Sequence, residues 1–212
     1  MTKVPGRGEP NVEAGGDRRA RLVGLLVGGA NNAFGTKRLC QVCAEVTAMG
    51  GAGIMLMADD APRRSLCTTN EMSDLIEQLQ YALDEGPCVD AYRQERPVIE
   101  PDLVGLARRR WLAFAPAAIE AGVRAVFGFP LKVGAVRLGA LNLCRDRPGP
   151  LNDDQHANAL VMADLAAEAA LVLQASAARV NLAADRGASR DSHYVVHQAG
   201  GVVAAQLDPS VG

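Results

Sequence analysis

Cys88 is the residue best placed to do chemistry. It follows Gly86-Pro87 at an expected helix start, where unpaired backbone N–H groups favour a thiolate. A structural thiol is the plain reading of it, and a redox or ligand-sensing thiol the sharper one. Cys40 and Cys43 form a CxxC with no second pair and no histidine nearby. They lie in an apolar helical pattern of Leu39, Val42, Cys43 and Val46, so they read as core thiols rather than as a zinc or thioredoxin-like centre. His193 and His197 stand four apart, on one face of a helix, but no Glu follows His193 as in a zincin; His156 is the remaining histidine. Glu85 with Asp90, and Glu95 with Glu100, show no pattern that would bring them together, and read as solvated loop and helix faces. There is no nucleophile elbow, Walker loop or dinucleotide fingerprint. Gly50-Gly51-Ala52-Gly53 precedes an expected strand instead of following one, the wrong context for binding phosphate. These residues imply no catalytic group, no metal site and no cofactor.

The elements that would position these residues follow from periodicity and turn chemistry. Residues 1–16 are rich in Gly, Pro and charge and are expected as a disordered tail. A short helix over 17–30 comes next, then a break at 31–35 and a helix over 36–49 that ends at Gly50-Gly51. The runs 52–58 and 64–69 flank Asp59-Asp60-Ala61-Pro62, which predicts a hairpin with a four- to five-residue loop. Residues 71–82 are helical, with Met72, Leu75, Ile76 and Leu79 on one stripe. A short helix over 89–95 and an extended piece over 97–100 follow, and 111–121 is helical or loop-like. Strands over 123–131 and 136–144 make a second hairpin. The first of them is apolar on both faces, so it is expected to be central and covered on both sides. Asn152 with Gln155 gives a capping-box-like start to a long Ala-rich helix reaching about residue 182, roughly 45 Å at 1.5 Å per residue. Asp164 and Glu168 mark its narrow wet strip. Val161, Leu165, Val172, Leu160, Leu171 and Leu173 spread over the rest, so it should be buried on two sides, one against its own sheet and one against a second copy. The order makes an α+β domain of about 140 residues, an antiparallel sheet with helices on both faces.

Apolar residues make up 49% of the 212-residue chain, enough for a real core, and the net charge of −2 argues against nonspecific nucleic-acid binding by the whole surface. Arg108-Arg109-Arg110 reads as a solvated basic run. Five scattered cysteines do not suggest a disulfide framework and fit a reducing cytoplasm. No stretch is read as long enough to span a membrane. The apolar run over 22–29 is too short and too far into the chain for a signal peptide.

Three stretches carry a family resemblance. They are LDEGPCVDAYRQERPVIEPDL at 83–103, GVRAVFGFPLKVGAVRLGALNLCRDRPGPL at 122–151, and HQAGGVV at 197–203. The first two resemble the GAF domains of actinobacterial GAF–ANTAR transcription antitermination regulators. In the third, Gln198, Ala199 and Gly201 stand where ANTAR domains, small all-helical RNA-binding modules, show Gln-Ala-x-Gly. Val196, Ala199, Val203 and Leu207 share one helical face there, and the chain supplies nothing further for that face to pack on. Gly200 and Asp208-Pro209 depart from the usual ANTAR pattern, and the later ANTAR helices are missing, so no RNA-contacting residue carries over.

The resemblance implies a GAF-like sensor domain over 17–175, a helical linker over 176–192 and the start of an ANTAR domain over 193–212. It implies a pocket on one face of the sheet, with Cys88, Tyr92, Trp111, Phe127, Phe129 and Asn142 as candidate lining. Asn142 differs in kind, because an amide buried in an apolar strand needs partners. The expected protein is a cytoplasmic, homodimeric regulator without a membrane partner. It would sense an unidentified small molecule and act on RNA through a complete ANTAR domain. A GAF sensor or dimerisation module without RNA activity is the alternative, and a GAF-type thiol reductase a further one.

Overall fold

The computed structural model describes residues 12–27, 35–58, 64–106 and 110–175. Contacts divide the chain into Met1–Ala170 and Leu171–Gly212, and the first unit holds the sheet. The strands are β1 (Gly51–Leu56), β2 (Arg64–Thr68), β3 (Val98–Glu100), β4 (Ala125–Val133) and β5 (Val136–Arg145). They form one sheet in the order β2-β1-β5-β4-β3, and every pairing is antiparallel. Gly134, at φ 57°, turns β4 into β5 in a left-handed conformation that costs glycine little. The double-sided apolar pattern therefore lands where expected, on inner strands.

Side chains alternate across a strand, so the register assigns each residue to a face. Ile54, Leu141 and Phe129 lie in one row, and Ala52, Leu143 and Phe127 in the next row on the same face. That face packs against α2 (Thr36–Thr47) and the long helix α7 (Asp153–Ala175). The Phe129 ring lies 5.6 Å from His156 of α7, and Asn158 Nδ2 of α7 donates to the Val46 carbonyl of α2 at 2.7 Å. α7 opens with the expected box: Gln155 N–H donates to Asn152 Oδ1 at 2.8 Å, and Asn152 N–H to Gln155 Oε1 at 3.0 Å.

The opposite face carries Gly53, Asn142 and Gly128 in one row, under α3 (Glu71–Leu83) and α4 (Pro87–Gln94). α3 starts on a capping box in which Asn70 Oδ1 accepts from Ser73 N–H at 3.0 Å. Two short helices, α5 (Leu103–Leu106) and α6 (Phe114–Glu120), follow β3 in the chain; α5 is too short to leave a periodic signal.

Several expectations change. Helix α1 spans Val12–Val27, so residues 12–16 are helical rather than tail. α1 also covers part of α7's second side: Arg18 pairs with Asp154 and Arg19 with Glu168, each at 2.8 Å. A second copy is thus not needed to explain all of that side, although Leu160 remains 40% exposed. α7 is long and apolar enough to cross a membrane by length and composition, contrary to the reading of the sequence. Half of its most apolar window is buried within the chain. Cys40 and Cys67 form a disulfide between α2 and β2, with Cα atoms 6.2 Å apart. They are 27 residues apart in sequence and only the packing of α2 on the edge strand pairs them. The CxxC is therefore one half-cystine and one free buried thiol, Cys43, and the cysteines no longer argue for a reducing compartment. The β1–β2 turn at 59–62 and residues 176–212 lie outside the described residues.

Candidate functional site

The row Gly53–Asn142–Gly128 is the floor of the site. A Cβ on Gly128 would run into the Pro87 carbonyl, and one on Gly53 into Glu77 Oε1. Glycine at both positions lets α3 and α4 settle directly onto the strands. The face that α3 sets down is Ser73, Ile76, Glu77 and Gln80, at i, i+3, i+4 and i+7. It is a helical stripe made mostly of polar residues. Gln80 finds work there: its Oε1 accepts from the Cys88 N–H at 2.7 Å, stapling α3 to the start of α4. Glu77, only 3% exposed, has no hydrogen-bond partner for either oxygen among the described residues. Asn142, fully buried in mid-sheet, likewise has none for Oδ1 or Nδ2. Buried polar groups without partners are rare and each needs a reason.

Burial pushes the Glu77 carboxyl up to about 7; nearby Ser65 partly offsets the rise and Asp74 adds to it. Ser65 pulls in that direction without closing a hydrogen bond of normal geometry. The same environment acts on two thiols. Burial raises Cys144 to about 12, helped by the Glu77 charge. Cys88 is raised first by burial, then by Glu77, against the hydrogen bond with Gln80. The thiolate expected of Cys88 at a helix start is therefore not favoured: burial outweighs the helix terminus, and Gln80 already occupies the Cys88 N–H.

Beside Glu77, a cavity of about 350 Å³ opens between α3 and the β1–β2 edge of the sheet. Met55, Tyr81 and Ala82 make it mainly apolar, Glu77 stands in its wall, and Arg64, Ser65, Asp74 and Gln78 also line it. A concave, mostly apolar site with a few convergent polar groups is suited to holding a small organic molecule. Among the described residues, no three His, Cys, Asp or Glu side chains cluster as a metal site would require.

A family model described as GAF domain matches residues 36–170, more than half of the chain. The chain belongs to the GAF domain family. Solved structures agree at the level of fold. The GAF domain of a phosphoenolpyruvate-protein phosphotransferase from Coxiella burnetii is similar at TM-score 0.58 and 15% identity, covering 80% of this chain and 99% of that one. The GAF domain of an Acinetobacter phosphoenolpyruvate-protein phosphotransferase reaches TM-score 0.57 at 12% identity, covering 77% and 97%. A free methionine-R-sulfoxide reductase from Neisseria meningitidis, solved with its substrate, reaches 0.51 at 10%, covering 79% and 95%. No curated protein sequence matches. The family match ends at residue 170, short of Gln198, Ala199 and Gly201, which lie outside the described residues together with His193 and His197.

Within this GAF domain the expected lining residues separate. Asn142, Cys88 and Tyr92 are on the α3/α4 side. Tyr92 packs with Met55, Met57, Cys88 and Ala140, and the Arg137 guanidinium lies 4.8 Å over its ring. Phe127 and Phe129 are on the other face, toward α7, because they are out of phase with Asn142 by one residue across the β4–β5 pair. Trp111 is on the α3/α4 side as well, clustered with Ile76, Ala91 and Cys144 and edge-on to Phe114, its indole N–H donating to Asp90 at 2.8 Å; none of the six expected residues is among those that line the cavity. Asp90 also accepts from Arg110, and Glu85 accepts from the N–H groups of Ala113 and Phe114 at the start of α6. These two carboxylates do converge, on the 110–114 segment, and they hold structure rather than facing solvent. Glu77 escapes a reading by apolar stripes. Its signal is the Ser-Ile-Glu-Gln spacing one step out of phase with the stripe Met72-Leu75-Ile76-Leu79, of which Leu75 is exposed.

Proposed function

We propose that the GAF domain is a small-molecule sensor whose ligand enters the cavity between α3 and β2. Two buried, unpartnered groups carry this reading: Glu77, which stands in the cavity wall, and Asn142, behind it in the strand opposite Gly53. A stable core rarely keeps two such groups, whereas a binding site gives them partners when filled. In this reading the signal leaves through α7, and homodimerisation through the apolar residues still exposed on α7 would make its arrangement ligand-dependent. A ligand shifts that arrangement only by its difference in affinity for the two states. The resemblance of 197–203 to an ANTAR helix supports RNA as the output, through a complete ANTAR domain, in transcription antitermination in the cytoplasm.

The thiol reductase reading is weaker. It rests on a fold shared with proteins of that activity, at low identity, and the two thiols on this face, Cys88 and Cys144, are held protonated. A full-length protein is expected to shift a hairpin RNA in a mobility assay, with affinity changed by small molecules that raise its melting temperature. RNA affinity and dimerisation that ignore every such ligand would count against the sensor-to-RNA reading. Turnover of free methionine sulfoxide that disappears in Cys88→Ser would replace it with the enzymatic one.

A further inference from the structure

Resting on the sensory reading above, we propose that the cavity beside α3 takes a small organic cation, a primary amine or amidine on an apolar body, whose N–H groups pair with Glu77. An ionised carboxylate offers only acceptors, two of them side by side, and on Glu77 both lack a partner among the described residues. An ammonium or amidinium supplies the missing donors and charge together, and an amidinium can meet both oxygens at once. A neutral guest would favour the protonated carboxyl and so gain no charge pairing, and an anion would oppose the ionised form.

Most groups around Glu77 agree. Asp74 lies on the same helix and adds to the negative field, and Cys88 from α4 and Cys144 from β5 are protonated thiols that feel its charge. From β2, Ser65 is near; Arg64, in the cavity wall, is the one described group there that works against a cationic guest, but it makes no hydrogen bond to either Glu77 oxygen. From β5, Asn142 stands opposite Gly53, the residue that Glu77 overlies; its amide, unpartnered at both Oδ1 and Nδ2, can turn either atom toward a guest. The remaining wall suits the apolar body. Met55 and Ala82 are apolar, and Tyr81 offers a ring face, which attracts cations. A volume of about 350 Å³ accommodates a single ring with a short arm. The Glu77 oxygens are themselves covered, so a guest meets them after the side chain rotates toward the cavity whose wall it forms.

The test uses the full chain with four probes of one shape: benzamidine, phenethylamine, 2-phenylethanol and phenylacetate. Binding is followed by calorimetry and by the side-chain NMR signals of Met55 and Tyr81. The two cations are expected to bind at least about tenfold more tightly than the alcohol and the acid. Below pH 7 their binding should release a proton from Glu77 and weaken about tenfold per pH unit. Glu77→Gln should erase both the preference and the pH dependence while leaving the circular dichroism unchanged. Should that variant misfold, Asp74→Asn at the exposed rim is expected to weaken the cations two- to threefold, about the size of a screened charge effect, and leave the alcohol unaffected. Equal binding of phenethylamine and 2-phenylethanol, or cation binding that survives in Glu77→Gln, would overturn the cation class and leave the cavity as a sensor site. If no probe moves Met55 or Tyr81, the cavity reading falls, and this inference with it.

Discussion

One face of the sheet carries Ile54, Leu141, Leu143, Phe127 and Phe129 against α2 and α7; the other carries Gly53, Asn142 and Gly128 against α3 and α4. On the first, large side chains fill the gap and helices ride over them. Each buried aliphatic or aromatic group there contributes about 1.5–3 kcal/mol. On the second, glycines bring the helices close, and α3 sets down Ser73, Glu77 and Gln80 beside Ile76, which joins an apolar cluster with Trp111, Phe114 and Val126. Leaving a buried polar group unpartnered costs about 1–3 kcal/mol. The difference teaches that the two layers are built differently. Both faces bury apolar side chains, but the second also sets Glu77 and Asn142 down without partners among the described residues, a local deficit beside its apolar clusters that a guest can relieve.

Five substitutions break or sharpen that contrast. The largest loss is expected from Phe129→Ala on the apolar face, about 3–5 kcal/mol in chemical unfolding, because a fully buried ring leaves a void beside His156. A loss below about 1 kcal/mol would mean that large side chains do not hold this face. Glu77→Gln is expected to act in the opposite sense and only at higher pH. Glu77 titrates at about 7 when folded, against an ordinary 4.5, so the folded chain binds more protons than the unfolded chain between those values. Stability is then present below about pH 4.5 and lost as pH rises to 7. The gap between variant and wild type should widen in favour of the variant by about 3 kcal/mol from pH 4 to pH 8, read from urea midpoints at both. A gap that does not change with pH would show that Glu77 is not a buried acid.

Gly128→Ala should cost about 1–3 kcal/mol, because the new methyl meets the backbone of Pro87, which has no room to yield. Gly53→Ala should cost less, since what it meets is the swinging end of Glu77. If the two cost the same in thermal melts, the close approach of α4 is not the constraint. The smallest effect, below about 1 kcal/mol, belongs to Arg19→Ala. Its pair with Glu168 joins two half-exposed side chains outside the apolar layer and should fade in high salt.

Much of the scaffold is legible without coordinates. Periodicity places α2, α3 and both hairpins, and Asn152 with Gln155 marks the start of α7, because each is a short-range pattern. The site is legible only at one point. Asn142 stands out as an amide within an apolar strand, and the structure leaves it unpartnered. Glu77 does not stand out, since an acid on an amphipathic helix ordinarily faces water. The buried side of α3 is turned from the apolar stripe because glycines on the facing strands leave space for polar side chains. Phe127 and Phe129 look like lining when β4 is read alone. Pairing with β5 sends them to the opposite face from Asn142.

The chain by itself determines the order of elements, the antiparallel hairpins, the helix caps and an inner strand apolar on both sides. Those features arise from residues within a few positions of one another. Only the tertiary structure decides that Cys40 joins Cys67, that Glu85 and Asp90 serve one loop, and that Glu77, Asn142, Gly53 and Gly128 share one site. Each of those outcomes joins elements distant in the chain, and the packing distance between helix and sheet, set here by two missing side chains, has no local signature.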